Sequence, residues 1–196
     1  MKHALKNLYL IQPNFKQPYF SGSDDKTVEG CFFLPYSVAS LWAYAKQFEL
    51  VTNNYELKKL IFRREPFSVM LDRLESPDIA AFSSYSWCWE YNVELARQIK
   101  ERFPACLIVF GGPMIPDDSS ELFREYPHID IGVHAEGEYI FRQILEDGIS
   151  ASPDYRKVAG ISLNIDGTAF KTKERPRIAD LDDLPNPYVA GIFDEL

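Results

Sequence analysis

Apolar positions along the chain follow two rhythms. Short, largely apolar runs at residues 8–11, 78–83, 107–110 and 129–133 have the length and the bounding turn residues of buried strands. Residues 55–62 add a further strand with imperfect alternation. Between them the spacing turns helical. Val38, Leu41, Trp42 and Ala45 fall at i, i+3, i+4 and i+7 after Pro35, which suits a first turn. Phe67, Met70, Leu71 and Leu74 mark a second helix, stopped at Ser76-Pro77. Leu95, Ala96, Ile99 and Phe103 mark a third that ends at Pro104. Asp118 followed by Glu121 predicts a capping box before Leu122, Phe123 and Tyr126, and Ile140, Phe141, Ile144 and Leu145 line the last helix. Strands alternating with helices in this way predict an α/β fold, a parallel sheet covered on both faces with right-handed crossovers.

Two segments break the rhythm. Residues 13–35 carry no period, and an aperiodic stretch of that length is commonly functional. Residues 160–174 place Asp166-Gly167 between two alternating runs, a strong hairpin signal. The tail beyond it, with Pro176, Pro185 and Pro187 and with Asp180, Asp182 and Asp183, reads as a linker or a strap lying over a surface. These signals divide the chain into an α/β domain at 1–150 and a hairpin with linker at 151–196.

Composition narrows the function classes. A net charge of −8 argues against nucleic acid as a partner. No apolar run is long enough to span a bilayer, and the N-terminus lacks a signal-peptide pattern, so no membrane role is expected. Cys31, Cys88 and Cys106 form no C-x-x-C pair, which suits a reduced, cytoplasmic chain. There is no G-x-G-x-x-G after the first strand, no P-loop and no G-x-S-x-G elbow, and His3, His128 and His134 lack zinc spacing relative to the cysteines.

In an open wound sheet, ligands sit beyond the carboxyl ends of the strands. The loops there supply the candidate residues, each with two readings. Gly111-Gly112 lets backbone approach a ligand, or merely makes a tight turn. Ser83 and Ser84 can donate to a ligand or bond their own loop. Tyr85, Trp87, Trp89 and Tyr91 can stack on a flat ligand or fill the core, although four aromatics in seven residues are hard to bury together. Glu136 and Glu138, flanking Gly137, can accept hydrogen bonds or favour the start of the next helix. His134 can serve as an axial metal ligand, or be an ordinary loop histidine.

Residues 77–113, PDIAAFSSYSWCWEYNVELARQIKERFPACLIVFGGP, are similar to the core of the cobalamin-binding domain at the N-terminus of many radical S-adenosylmethionine enzymes. IDIGVHAEGEYIFRQIL at 129–145, VAGISLNIDG at 158–167 and IADLDDLPNPYVAGIFD at 178–194 follow in the same order and spacing, so the resemblance covers residues 8–194. It implies a flavodoxin-like (Rossmann-like) five-stranded parallel sheet, order 2-1-3-4-5, holding cobalamin at its carboxyl edge with the dimethylbenzimidazole nucleotide tail beside the sheet. On that pattern Ser83, Ser84 and Tyr85 contact the tail, and Gly111, Gly112 and Pro113 let it pass. Glu136, Gly137 and Glu138 form the acidic turn across the groove, and Trp87 lies under the corrin ring.

Two departures matter. The Asp-x-His-x-x-Gly of classical cobalamin domains is absent after the first strand, which implies base-off binding with no histidine on cobalt. No C-x-x-x-C-x-x-C occurs either, so a [4Fe–4S] cluster and S-adenosylmethionine would belong to a missing C-terminal radical SAM domain. The chain then reads as the binding module of a larger enzyme, of methyltransferase type, and not as a catalyst alone. Two rival readings remain: a flavodoxin-like module for a flavin or nucleotide, and a degenerate docking domain without a cofactor.

Overall fold

The computed structural model describes residues 4–14, 16–17, 31–194 and 196; most of the aperiodic segment after the first strand therefore lies outside the described residues. In chain order the strands are β1 (Lys6–Asn14), β2 (Lys16–Gln17), β3 (Cys31–Phe32), β4 (Tyr55–Arg63), β5 (Ile79–Ser83), β6 (Leu107–Gly111), β7 (Ile131–Val133), β8 (Ile161–Ile165) and β9 (Thr168–Lys171). The helices are α1 (Tyr36–Ala45), α2 (Glu49–Thr52), α3 (Phe67–Asp72), α4 (Trp89–Arg102), α5 (Ser120–Glu125) and α6 (Gly137–Asp147). One seven-stranded sheet runs β4-β1-β5-β6-β7-β8-β9, while β2 and β3 pair separately. The first five strands of that sheet are parallel, in the order 2-1-3-4-5, and the last two are antiparallel.

Strand alternation divides the core in two. Leu8 and Leu10 of β1 pack with Val38 and Ala39 of α1 and with Ile140, Phe141 and Ile144 of α6. Tyr9 and Ile11 face the other way, toward Met70 of α3, Leu95 and Ile99 of α4, and Phe123 of α5. A strand buried on both faces is the physical reason that β1, β5 and β6 read as continuous apolar runs. Pro13 is accommodated within β1 because the pairing with β5 stops at Ile11, so its missing N–H deprives that ladder of nothing.

Two local expectations are adjusted and a third holds. No capping box forms at α5. Ser119 precedes the first helical residue without a side-chain cap bond, Asp118 Oδ1 accepts from Ser120 N–H at 3.0 Å, and Glu121 turns to Arg124 at 3.0 Å. In α1, Leu41 and Trp42 are half-buried while Ala39, Ser40, Ala43 and Tyr44 are buried, because the helix packs on α6 as well as on the sheet. The hairpin forms as its Asp-Gly signal predicts, with φ of 51° at Asp166 and 82° at Gly167, and it continues the main sheet through β7. Beyond it the strap returns over α1 and α6. Lys46 Nζ donates to Ala190 O at 2.6 Å, and Ile192 and Phe193 pack against the core.

Candidate functional site

The carboxyl ends of the central strands are shaped by side-chain size. On the α1/α6 face, β5 presents Ile79, then Ala81, then Ser83, and β6 presents Leu107, then Val109, then Gly111. These residues are register partners in turn, so each row across the two strands is smaller than the row before it. The opposite face keeps Phe82 and Phe110, stacked with ring centroids 4.7 Å apart. The taper leaves a wedge open between sheet and helices, a cavity of about 320 Å³. Val133 of β7 closes one end of its floor, and α1 and α6 form its walls.

Polar groups on the walls are mostly bonded to each other. Ser40 Oγ donates to Glu138 Oε1 at 3.1 Å, joining α1 to the first turn of α6. Ser37 Oγ and Tyr85 Oη lie 3.2 Å apart, joining α1 to the loop after β5. Glu136 Oε2 accepts from the Ile178 amide at 2.7 Å and so holds the strap. Gly137 allows the close approach of the two helices, since a β-carbon there would stand 2.9 Å from Leu41 Cδ2. Ala135, also on the rim, has φ of 57°, a left-handed conformation that non-glycine residues seldom adopt.

Seven of the ten residues singled out in the sequence line this cavity: Ser83, Tyr85, Gly111, Gly112, Glu136, Gly137 and Glu138. Ser84, Trp87 and Pro113 do not. Ser84 follows Ser83 across the pleat and is fully buried. Its backbone belts the glycine turn, donating to Gly111 O at 2.7 Å and accepting from Met114 N at 3.2 Å. Its Oγ has no hydrogen-bond partner among the described residues. Pro113 is exposed beyond the turn. Trp87 is 45% exposed and stacks on Tyr85 with centroids 4.4 Å apart and planes 11° apart, while its carbonyl accepts from the Arg64 guanidinium. The aromatic cluster is thus split: Trp87 faces solvent, whereas Trp89 packs edge-on to Phe110 in the core.

The α1 wall was not signalled by apolar periodicity, because the residues facing the cavity include Ser37 and Ser40 on a helix recognised by its larger side chains. His134 does not line the cavity. Its Nε2 lies 2.8 Å from Ser162 Oγ, and burial, aided by Lys171, holds its pKa below the ordinary histidine value. Burial likewise raises the pKa of the Cys88 thiol, which donates to Ser83 O at 3.3 Å at the base of the loop. Among the described residues no group of three or more His, Cys, Asp and Glu side chains could hold a metal ion, and no helix is long and apolar enough to cross a membrane.

No family model matches the chain. Among curated proteins it is 35% identical, over 83% of its length, to the cobalamin-dependent radical SAM methyltransferase TokK of Streptomyces tokunonensis. It is 33% identical, again over 83% of its length, to the 2-(S-pantetheinyl)-carbapenam-3-carboxylate methyltransferase of Streptantibioticus cattleyicolor. In each case the chain spans 24% of the relative. Among solved structures it shares its fold with the cobalamin-dependent S-adenosylmethionine radical enzyme OxsB, TM-score 0.66 at 16% identity, covering 96% of this chain and 25% of that one. It also matches the radical S-adenosylmethionine methyltransferase TsrM of Kitasatospora setae, TM-score 0.61 at 20% identity, over 86% of this chain and 30% of that one.

Proposed function

We propose, on the premise that this chain is similar to about a quarter of the length of a cobalamin-dependent radical SAM methyltransferase and of a carbapenam methyltransferase, that it is a cobalamin-binding module of a radical S-adenosylmethionine enzyme. The observation that carries the reading is the wedge over β5, β6 and β7. It is open, apolar at its floor, and placed at the carboxyl edge where wound sheets bind ligands. Its described lining holds two carboxylates and no lysine or arginine. That favours an uncharged aromatic insert over the phosphate of a flavin nucleotide. The alternative of a docking domain without a cofactor gains from the burial of Trp89 but not from Trp87, which is exposed.

In this reading Ser83, Gly111 and Gly112 border the benzimidazole of the nucleotide tail, with Glu136, Gly137 and Glu138 across the wedge. Tyr85 and Trp87 stand at the mouth, where Trp87 can meet the underside of the corrin ring. Neither described histidine lines the wedge, and His134 is engaged with Ser162, so this reading assigns neither of them to cobalt. Bound cobalamin supplies a cobalt centre able to carry a methyl group. What the chain's own residues do is hold the tail, keep its base away from cobalt and exclude water from the wedge. The [4Fe–4S] cluster and S-adenosylmethionine belong to a C-terminal radical SAM domain, toward which the hairpin and linker at 151–196 lead, and the complete enzyme is of methyltransferase type. A reducing cytoplasm suits the buried free thiols Cys88 and Cys106.

The direct test is incubation with hydroxocobalamin, desalting, and a visible absorption spectrum. Retained corrin absorbance at one equivalent per chain is the expected result. A colourless protein overturns the reading.

A further inference from the structure

The wedge is graded in polarity as well as in width. Its deep part is walled by Val38, Ala81, Val109 and Phe141, with no polar side chain among them. On the rim, Ser37 is paired with Tyr85, Ser40 with Glu138, and Glu136 with the Ile178 amide, while the Tyr36 hydroxyl stands at the exposed mouth. Ser83, one row above the floor, is a lining hydroxyl with no hydrogen bond to protein among the described residues.

We propose that this wedge selects among corrinoids by their lower base, taking a benzimidazole and discriminating against a purine. The inference rests on the cobalamin-binding reading above and deepens it. A lower base is tethered by its ribose, so its remote edge is the part free to lead into a closed-ended wedge. In dimethylbenzimidazole that edge bears two methyl groups, which suit Ala81, Val109 and Phe141. The base retains one acceptor nitrogen, which one uncommitted hydroxyl can serve. In adenine the same edge bears a ring nitrogen and an exocyclic amine. Neither finds a partner at the apolar floor, and a buried polar group left unpaired weakens binding by roughly tenfold or more.

The test is a titration of the whole 196-residue chain with three corrinoids, followed by quenching of tryptophan fluorescence. These are cobalamin, the cobamide that carries adenine in place of dimethylbenzimidazole, and cobinamide, which lacks the base altogether. The expected result is a Kd for the adenine form at least about tenfold above that of cobalamin, with cobinamide weaker than cobalamin as well. Equal affinity for the benzimidazole and adenine forms overturns the selectivity and leaves the function standing. Equal affinity for cobinamide and cobalamin overturns the selectivity too, since the base then contributes nothing. Failure of all three to bind overturns the function itself. Ala81→Ser, which adds one hydroxyl to the floor with little change of shape, should narrow the ratio between the two bases several-fold. Its melting curve reports whether the fold is intact, and an unchanged ratio in a folded variant removes the floor from the account.

Discussion

Ser83 and Gly111 stand opposite each other across β5 and β6, the last and smallest pair on the face that α1 and α6 cover. A β-carbon added at Gly111 would meet Val133 Cβ at 3.5 Å, an ordinary contact, and the backbone there needs no positive φ. Gly111→Val therefore fills the wedge without straining the strand, and a β-branched residue suits that conformation. The expected outcome is loss of cobalamin binding by at least about tenfold, with stability within about 1 kcal/mol of the parent. Absorbance of the desalted protein and a urea melt check the two halves. Undiminished binding in the folded variant would place the tail elsewhere.

The neighbouring glycine has a different task. Gly112 has φ of 110°, and a β-carbon there would lie 2.9 Å from Ser84 O, a backbone atom that cannot swing aside. Gly112→Ala is expected to destabilise the fold by about 1–3 kcal/mol, read from the shift in a denaturant midpoint. Gly111→Ala should be far milder. A reversal of that order would contradict the turn geometry.

Stability should fall on the acid side of neutrality. Burial is the largest cause holding both His128 and His134 below the ordinary value of 6.5. The unfolded chain then takes up protons that the folded chain resists, so the stabilisation is present above pH 6.5 and is lost as pH falls below it. Denaturant midpoints at pH 7.5 and 5.5 should differ in that direction. His134→Gln keeps a polar group near Ser162 but removes one titrating site, and should flatten the dependence. An identical slope in the variant would assign the effect to His128 and other groups.

How much of this was legible before the fold was known depends on the range of the signal. The strands announce themselves because burial on both faces makes 8–11, 79–82 and 107–110 unbroken apolar runs. The hairpin does so because Asp166 and Gly167 both take positive φ. The wedge is half legible. Ile79, Ala81, Ser83 and Leu107, Val109, Gly111 shrink along every second position, a pattern of period two. The same period turns Ser84 away from Ser83, so adjacency in the sequence overstates the serine pair as a unit. The remaining walls are long-range facts. Nothing near Ser40 in sequence indicates that it bonds Glu138, 98 residues on, nor that Glu136 holds Ile178.

That last bond makes a local prediction. The Ile178 amide donates to Glu136 Oε2 at 2.7 Å, and Tyr139 Oη donates to Asp183 Oδ2 at 3.1 Å, so the N-cap and first turn of α6 tether the strap at two points. Glu136→Ala removes one of them. A hydrogen bond to a carboxylate contributes about 1.5–3 kcal/mol, so hydrogen exchange at Ile178 should quicken roughly tenfold or more. Exchange in the core of β6 should stay unchanged. Equal acceleration in both places would mean global destabilisation instead of strap release.

Trp87 offers the remaining discriminating experiment because it stands outside the core. At 45% exposure, and with only the stack on Tyr85 to lose, Trp87→Ala should change stability by about 1 kcal/mol or less. Trp89→Ala should cost about 3–5 kcal/mol, since that ring packs on Phe110 and Tyr126. If Trp87 meets the corrin, its loss weakens cobalamin binding and shifts the visible spectrum of the bound cofactor in a protein that still melts normally. Adenine versus benzimidazole preference should survive, because the wedge floor is untouched. A spectrum and affinity identical to the parent would leave the tail in the wedge but remove the tryptophan from beneath the ring.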